Sequence, residues 1–378
     1  MSDVQGLCIE RFAPVRDAFA ASFASGEELG AGFAFAVDGE LVVDLTGGMA
    51  EKAHADQAAR PFLPDTLVPI FSTTKALAAL MVARLVDRGA LSYGQLVTDV
   101  WPEFGQAGKE GVTVEQALSH QAGVPGLTQE MDPSVWYDWD EACRRIAAQA
   151  PLWPPGTASG YHATPFGYIA GEIFRRVDGR TLGTALRQDV AGPLSLDIWI
   201  GLPESEDARV ADVERPRSLP DFGTMNEARR LAFMVKWSSP GPRTAPEWRR
   251  AEIPSANGHA TAASMARLMT ALAGDGRLDG VLILSPDIAA EAARERIRGN
   301  DLVMPYFMAW GAGFIRNDPL GIYGPGKQSF GHSGWGGSCA FADPERRIAG
   351  AYVMNRQSAL LLGDPRSRRL IEAAYACL

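Results

Sequence analysis

The stretch FSTTKALAAL, residues 71–80, sets a serine and a lysine three positions apart where an apolar helical pattern begins. A hydroxyl is a weak nucleophile at neutral pH and needs a base within hydrogen-bonding reach. Side chains at i and i+3 of a helix share one face, so Ser72 and Lys75 meet that requirement. Backbone N–H groups at a helix start can also stabilise an oxyanion. To accept a proton, Lys75 must be neutral, which burial or a nearby positive charge would bring about. The same residues also make an ordinary helix start, because Ser is a favoured N-cap. With 21 serines and 5 lysines in 378 residues, chance alone gives about 0.3 such spacings, so the pair needs company.

Two other segments could supply it. In PPGTASGYHATPFGY, residues 154–168, a Pro/Gly loop delivers Tyr161 just before a helix start at Thr164-Pro165. In FGHSGWGGS, residues 330–338, Gly331, Gly334, Gly336 and Gly337 lead into a strand, and Gly in a strand marks close approach of a backbone or ligand. Each has a plainer reading when taken alone. A tyrosine after a turn can simply pack, and glycines can simply form a bulge.

The elements that must position these residues follow from pattern. Residues 32–48 read as two β-rich runs around the turn Asp38-Gly39. GSCAFADPERRIAGAYVMN repeats that grammar near the other end, with a polar turn at Asp343 to Arg346 and a strand from Ile348 to Met354. Between them the signals are helical. KALAALMVARLVDRG puts Leu77, Leu80, Met81 and Leu85 on one face and stops at Gly89; TVEQALSH, WDEACRRIAAQA, HATPFGYIAGEIFRRVDG, ASMARLMTALAGDG and the final RSRRLIEAAYACL are further helices. Residues 202–222 and 238–257 are polar, Pro-rich excursions. Strands, then helices, then strands predict an α/β (α+β) arrangement: an antiparallel sheet built from both chain ends, with flanking helices and an inserted helical lobe. The expected bounds are 1–70 and 256–378 for the sheet-bearing lobe and 71–255 for the mainly helical one. A cleft between the lobes is the expected place for a site.

Composition narrows the chemistry. The chain has 46% hydrophobic residues, enough for a sizeable core, and a net charge of -9 without a basic run, so nucleic acid is not expected as a partner. The N-terminus MSDVQGLCIERF lacks a leader pattern and no uncharged run is long enough to span a bilayer, so the expected location is cytoplasmic, without a membrane partner. Cys8, Cys143, Cys339 and Cys377 form no C-x-x-C pair, and His54, His120, His162, His259 and His332 are scattered with no H-E-x-x-H, so neither a disulfide framework nor a metal site is expected. G-x-S-x-G, G-x-G-x-x-G and the P-loop pattern are missing, and no cofactor is implied.

Taken together and in this order, S-x-x-K at Ser72, the loop at Tyr161 and the glycine-rich strand edge at 330–338 resemble the serine β-lactamase and penicillin-binding-protein superfamily. ALSHQAGVPGL, PSANGHATAASMARLMTALAGDGRLDGVLILS and the closing GHSGWGGSCAFADPERRIAGAYVMN extend the likeness over nearly the whole chain. It is most similar to the family VIII carboxylesterases, whose third motif is a variant of K-T-G followed by W-x-G. The resemblance implies a β-lactamase-like fold and a serine hydrolase of small carboxylic esters with short to medium acyl chains. It implies Ser72 as the acylated nucleophile, Lys75 as acceptor of its proton, and Tyr161 as partner base and then acid. His332-Ser333-Gly334 takes the place of K-T-G, so the N–H groups of Trp335 and Ser72 would form the oxyanion hole. Tyr161-His162-Ala163 lacks the Asn of Y-x-N, and His332 replaces the Lys of K-T-G. In the antibiotic-cleaving relatives these positions contact the substrate amide and carboxylate, so the resemblance implies an esterase rather than a dedicated β-lactamase, with His332 expected to favour neutral esters over carboxylate-bearing β-lactams. Amidase, peptidase, β-lactamase and acyltransferase activity share the acyl-enzyme step and remain alternatives, as does a non-enzymatic ligand-binding protein; the oligomeric state is left open. Trp101, Trp153, Trp237, Trp310 and Trp335 supply aromatic material for an apolar pocket.

Overall fold

The computed structural model describes residues 4–53, 58–241 and 245–378; His54 and residues 242–244 of the second polar excursion lie outside them. A ten-stranded antiparallel sheet joins the two chain ends. Its strand order is Gln5–Cys8, Glu40–Glu51, Gly30–Val37, Ile348–Met354, Cys339–Asp343, Phe330–Ser333, Ile315–Arg316, Phe307–Trp310 and Ile297–Asn300, with Arg60–Pro61 added against Glu40–Glu51. The seam between the ends is continuous, running from Ile348 opposite Val37 to Met354 opposite Ala31. Both expected hairpins form. Asp38 and Gly39 have φ of 51° and 90°, the left-handed pair that a two-residue turn needs.

Side chains on a strand alternate between faces, and here size alternates with them. Phe33, Phe35, Phe341, Ile348 and Tyr352 pack with Phe12, Val15 and Phe19 and with Leu370 and Ile371 of the Pro365–Ala376 helix. The interleaved Ala34, Ala36, Ala340, Ala342, Ala349 and Ala351 belong to the other core, with the Ala262–Ala273 helix. Small residues on that face let a buried helix approach the sheet closely. A Cβ added at Gly32 would already stand 3.3 Å from that of Ala262.

The Thr74–Asp87 helix departs from the one-sided expectation. Thr74 through Ala83 and Leu85 are all buried, because the helix runs through the middle of the protein and its alanines admit neighbours on every side. The Pro165–Asp178 helix packs beside it and ends at Gly179 with φ 87°. A three-stranded sheet, ordered Val68–Phe71, Gly258–Ala260 and Ile198–Trp199, leads directly into Ser72. The helix Ala13–Ala24 and the outer strands Ile297–Asn300, Phe307–Trp310 and Ile315–Arg316 were not anticipated from sequence. Among the described residues, no helix is long and apolar enough to cross a membrane.

Candidate active site

Ser72 sits in the turn between the Val68–Phe71 strand and the Thr74–Asp87 helix. Phe71 takes a φ of 47°, a left-handed conformation that aromatic residues rarely adopt, and reverses the chain just ahead of Ser72. The Thr74 hydroxyl donates to the Phe71 carbonyl and accepts from the Gly258 N–H at 2.8 Å, so the bend is held from both sides. Ser72 is not a helix cap. Its carbonyl accepts the Lys75 N–H at 3.0 Å, and Thr73 occupies the cap position, its side chain making no capping bond to the helix.

Lys75 is fully buried, and its Nζ stands 2.8 Å from the Ala163 carbonyl, 2.9 Å from the Ser255 carbonyl and 3.2 Å from Ser72 Oγ. Burial pushes its pKa well below the ordinary lysine range, because an ammonium here would lose its hydration. A neutral amine has two N–H bonds and one lone pair. The two carbonyls take the hydrogens, which leaves the lone pair for the Ser72 hydroxyl. Among the described residues no carboxylate is a hydrogen-bond partner of this amine, and burial outweighs what the two carbonyls offer an ammonium.

Tyr161 lies over the same amine, with Lys75 Nζ 4.7 Å from its ring centre. Its phenol is hydrogen-bonded to Ser72, and burial pushes its pKa upward against that bond. Asp301, unsuspected from sequence, fixes the segment: its Oδ1 accepts from the N–H groups of Tyr161 at 2.9 Å, Val303 at 2.9 Å and Met304 at 2.8 Å, while Oδ2 accepts from Trp310 Nε1 at 3.2 Å. The Trp310 ring stacks on Tyr161 at 5.8 Å and 11°. His162 turns away from the cleft; its Nε2 accepts the Val124 N–H at 3.0 Å and its Nδ1 pairs with the Gly160 carbonyl at 2.6 Å. Where the resemblance expects an Asn side chain, Ala163 offers its carbonyl to Lys75 instead.

The Phe330–Ser333 strand forms the third wall. His332 is buried, its Nδ1 pairs with the Ser333 carbonyl at 2.8 Å, and burial above all lowers its pKa to about 3, in the same direction as any charge on Lys75 would. It is therefore a neutral ring at any ordinary pH. Ser333 Oγ shares a 3.0 Å hydrogen bond with the Tyr323 hydroxyl. Gly334 has no room for a side chain, since a Cβ would stand 2.3 Å from the Ile70 carbonyl. Ser338 fastens the same contact, donating to the Ile70 carbonyl at 2.8 Å and lying 3.0 Å from Thr73 Oγ1. Ser72, Tyr161, His332, Ser333 and Trp335 line one cleft with Phe233, Met304, Trp310, Ile315, Leu361 and Leu362; it holds about 360 Å³ of empty space, part of it open to solvent. Of the five tryptophans singled out from sequence, Trp310 and Trp335 reach this cleft, while Trp101 packs against Phe104 in the helical core. Among the described residues, no cluster of His, Cys, Asp or Glu is suited to holding a metal ion.

A family model described as Beta-lactamase matches residues 15–375. An esterase/beta-lactamase of Mycobacterium tuberculosis, LipL, is 34% identical over 96% of this chain and 85% of its own length. A penicillin-binding protein homolog from Caulobacter crescentus is 62% identical and superposes with a TM-score of 0.96, all of both chains being covered. A family VIII carboxylesterase of known structure is 45% identical, with a TM-score of 0.92 over all of both chains.

Proposed function

The chain belongs to the beta-lactamase family, and on that premise we propose that it is a serine hydrolase cleaving carboxylic esters of short to medium acyl length through an acyl-enzyme on Ser72. The observation that carries this reading is the Lys75 amine, whose two hydrogens are taken by the Ala163 and Ser255 carbonyls while Ser72 Oγ lies 3.2 Å away. The names of the relatives, esterase and carboxylesterase, support the substrate class.

In the proposed reaction, Ser72 Oγ attacks the ester carbonyl carbon as its proton passes to Lys75, directly or through the Tyr161 hydroxyl. Charge that develops on the carbonyl oxygen is met by the N–H groups of Ser72 and Trp335. Collapse breaks the bond to the alcohol oxygen, which takes a proton from Tyr161. Tyr161 is then reprotonated from Lys75. A raised phenol pKa suits that task, since the group keeps its proton until the alkoxide forms. Water then repeats the sequence on the acyl-enzyme. Every step is served by side chains and backbone of this chain, with no cofactor.

Apolar walls suit a hydrocarbon acyl chain of modest length, and no Lys or Arg is among the residues lining the cleft. This supports a neutral ester over an anionic β-lactam and a small molecule over nucleic acid. A panel of chromogenic esters of graded acyl length, an anilide and a chromogenic cephalosporin tests the reading, with an added alcohol acceptor to detect acyl transfer. Short and medium esters should turn over fastest, Ser72→Ala should lose at least about 10³-fold, and intact mass should show one acyl or phosphonyl adduct on the wild type alone. Full activity in Ser72→Ala would sink the mechanism.

A further inference from the structure

Behind the strand edge that carries Trp335, away from the cleft, lies a buried ionic cluster. Arg366, in the first turn of the Pro365–Ala376 helix, is 5% exposed and uses every donor of its guanidinium. Nε donates to Asp364 Oδ1 at 3.0 Å, and Nη2 donates to Asp364 Oδ2 at 2.8 Å and to the Gly336 carbonyl at 2.9 Å. Nη1 donates to Glu28 Oε2 at 3.0 Å and to the Arg356 carbonyl at 2.9 Å. Gln357 adds a second hold from the same side, its Nε2 donating to the Trp335 carbonyl at 3.2 Å.

The turn that receives these bonds is built for close approach. Gly336 and Gly337 have φ of 89° and 130°; a Cβ on Gly336 would stand 2.6 Å from that of Gln357, and one on Gly337 would stand 2.6 Å from Asp364 Oδ2. The Gly337 N–H folds back to the Gly334 carbonyl at 3.1 Å. That carbonyl shares a trans peptide plane with the Trp335 N–H, and in such a plane the two groups point in opposite directions. Fixing Gly337 therefore fixes the direction of the Trp335 N–H.

We infer that Arg366, seconded by Gln357, is a positioning residue for the oxyanion-stabilising turn: by holding the Gly336 and Trp335 carbonyls from behind, it aims the Trp335 N–H at the reacting carbonyl oxygen. The inference rests on the acyl-enzyme reading above. A lysine keeps the charge of Arg366 but not its planar fork, so it cannot serve Asp364, Glu28 and Gly336 at once. A cluster that merely joined the chain ends would affect stability without affecting the chemistry at the carbonyl oxygen.

The test compares an ester with its thiono counterpart, in which sulfur, larger and a weaker acceptor, replaces the carbonyl oxygen. Arg366→Lys should lower kcat for the oxo ester about 10-fold to 100-fold with KM within about twofold. The oxo-to-thiono ratio of kcat/KM should fall about tenfold, since donors out of place no longer favour the smaller oxyanion. Arg369→Met, on the same helix and ion-paired to Glu27 at the surface, should leave that ratio unchanged. If Arg366→Lys does not fold, Gln357→Met, which leaves the ionic cluster intact, should lower the ratio in the same direction. An unchanged ratio in the folded variant overturns the inference, whatever the loss of melting temperature. Full hydrolysis by Ser72→Ala would overturn the acyl-enzyme reading and this inference with it, whereas an inactive Ser72→Ala beside an unchanged ratio overturns this inference alone.

Discussion

Lys75 and Tyr161 derive their proposed chemistry from burial, which moves the two groups in opposite directions. The amine is pushed down and the phenol up, so the neutral pair is favoured over lysinium and phenolate. Only unprotonated Lys75 can act as base, so kcat/KM should rise with pH through its lowered pKa and level off well before pH ~10, where an ordinary lysine would only begin to deprotonate. A pH profile from 5 to 10 checks this, and a limb still climbing at the alkaline end would show that Lys75 is not depressed. Because the two residues handle one proton, Lys75→Ala, Tyr161→Phe and the double variant should all lose about the same, at least 10²-fold in kcat. Losses that multiply would separate them. His332 makes a different case. From sequence, a lysine at that position would recover a cation for the carboxylate of a cephalosporin. The structure buries the site beside Lys75, where His332 is already neutral, so an ammonium would face the same desolvation. His332→Lys should therefore reduce turnover of ester and cephalosporin alike, and a selective gain in KM for the cephalosporin would show that the new side chain is charged.

Ser72 is presented by one strand-turn-helix unit, and in the proposed reaction the strand edge beside it must approach closely enough for two N–H groups to share one oxygen. Gly334 is where the two elements touch. Its missing side chain leaves room for the Ile70 carbonyl, a backbone group that cannot swing aside. Gly334→Ala should push the strand edge off the Ser72 turn, costing about 1–3 kcal/mol of stability and about 10²-fold in kcat/KM through misplacement of the oxyanion donors. Thermal unfolding and ester kinetics on the same preparation check it, and unimpaired turnover would show that this contact does not set the donor geometry. Elements with their own local signals were legible beforehand. The hairpins at Asp38-Gly39 and Asp343 to Arg346 carry turn residues between β-rich runs, and the Pro165–Asp178 helix carries Pro at its start and Gly after its end. The Ala13–Ala24 helix was missed because Val15, Phe19 and Ser22 alone are buried and its alanines blur the periodicity. Ile297–Asn300 reads as a loop, IRGN, and is a strand only because Phe307–Trp310 pairs with it. At the site, the Ser72 and Lys75 pair was legible from side-chain type and spacing, whereas Tyr161 was singled out by the family resemblance that its loop helps to carry. The Ala163 and Ser255 carbonyls were not, since a backbone group leaves no mark in a sequence, and Asp301 looks like any loop acid until four N–H groups are seen to converge on it.

At the scale of the whole molecule, the chain ends close the sheet, and the ionic cluster of Glu28, Asp364 and Arg366 ties the end of the N-terminal helix region to the start of the C-terminal helix. One guanidinium there serves two carboxylates. Asp364 keeps its charge, held low by Arg366, whereas burial raises Glu28 from 4.5 to about 7 against the pull of Arg366 and Arg356 and the Tyr352 hydroxyl bond, with Asp364 adding to the rise. With Glu28 protonated the cluster is neutral; with Glu28 ionised it carries a buried negative charge. The consequence for stability has a definite sign. A carboxyl whose folded pKa lies above its unfolded value binds more protons in the native state, so its contribution is complete below pH ~4.5 and is lost as pH rises through about 7. The interval from 4.5 to about 7 corresponds to at most about 3–4 kcal/mol. Glu28→Gln, a neutral group of the same shape, should remove that dependence. Urea unfolding at pH 5, 6, 7 and 8 should show the wild type losing ground to the variant at each step, by about 1–3 kcal/mol over the range. Parallel curves for the two proteins would mean that Arg366, Arg356 and the Tyr352 hydroxyl together offset the burial of Glu28 and leave its pKa unshifted on folding.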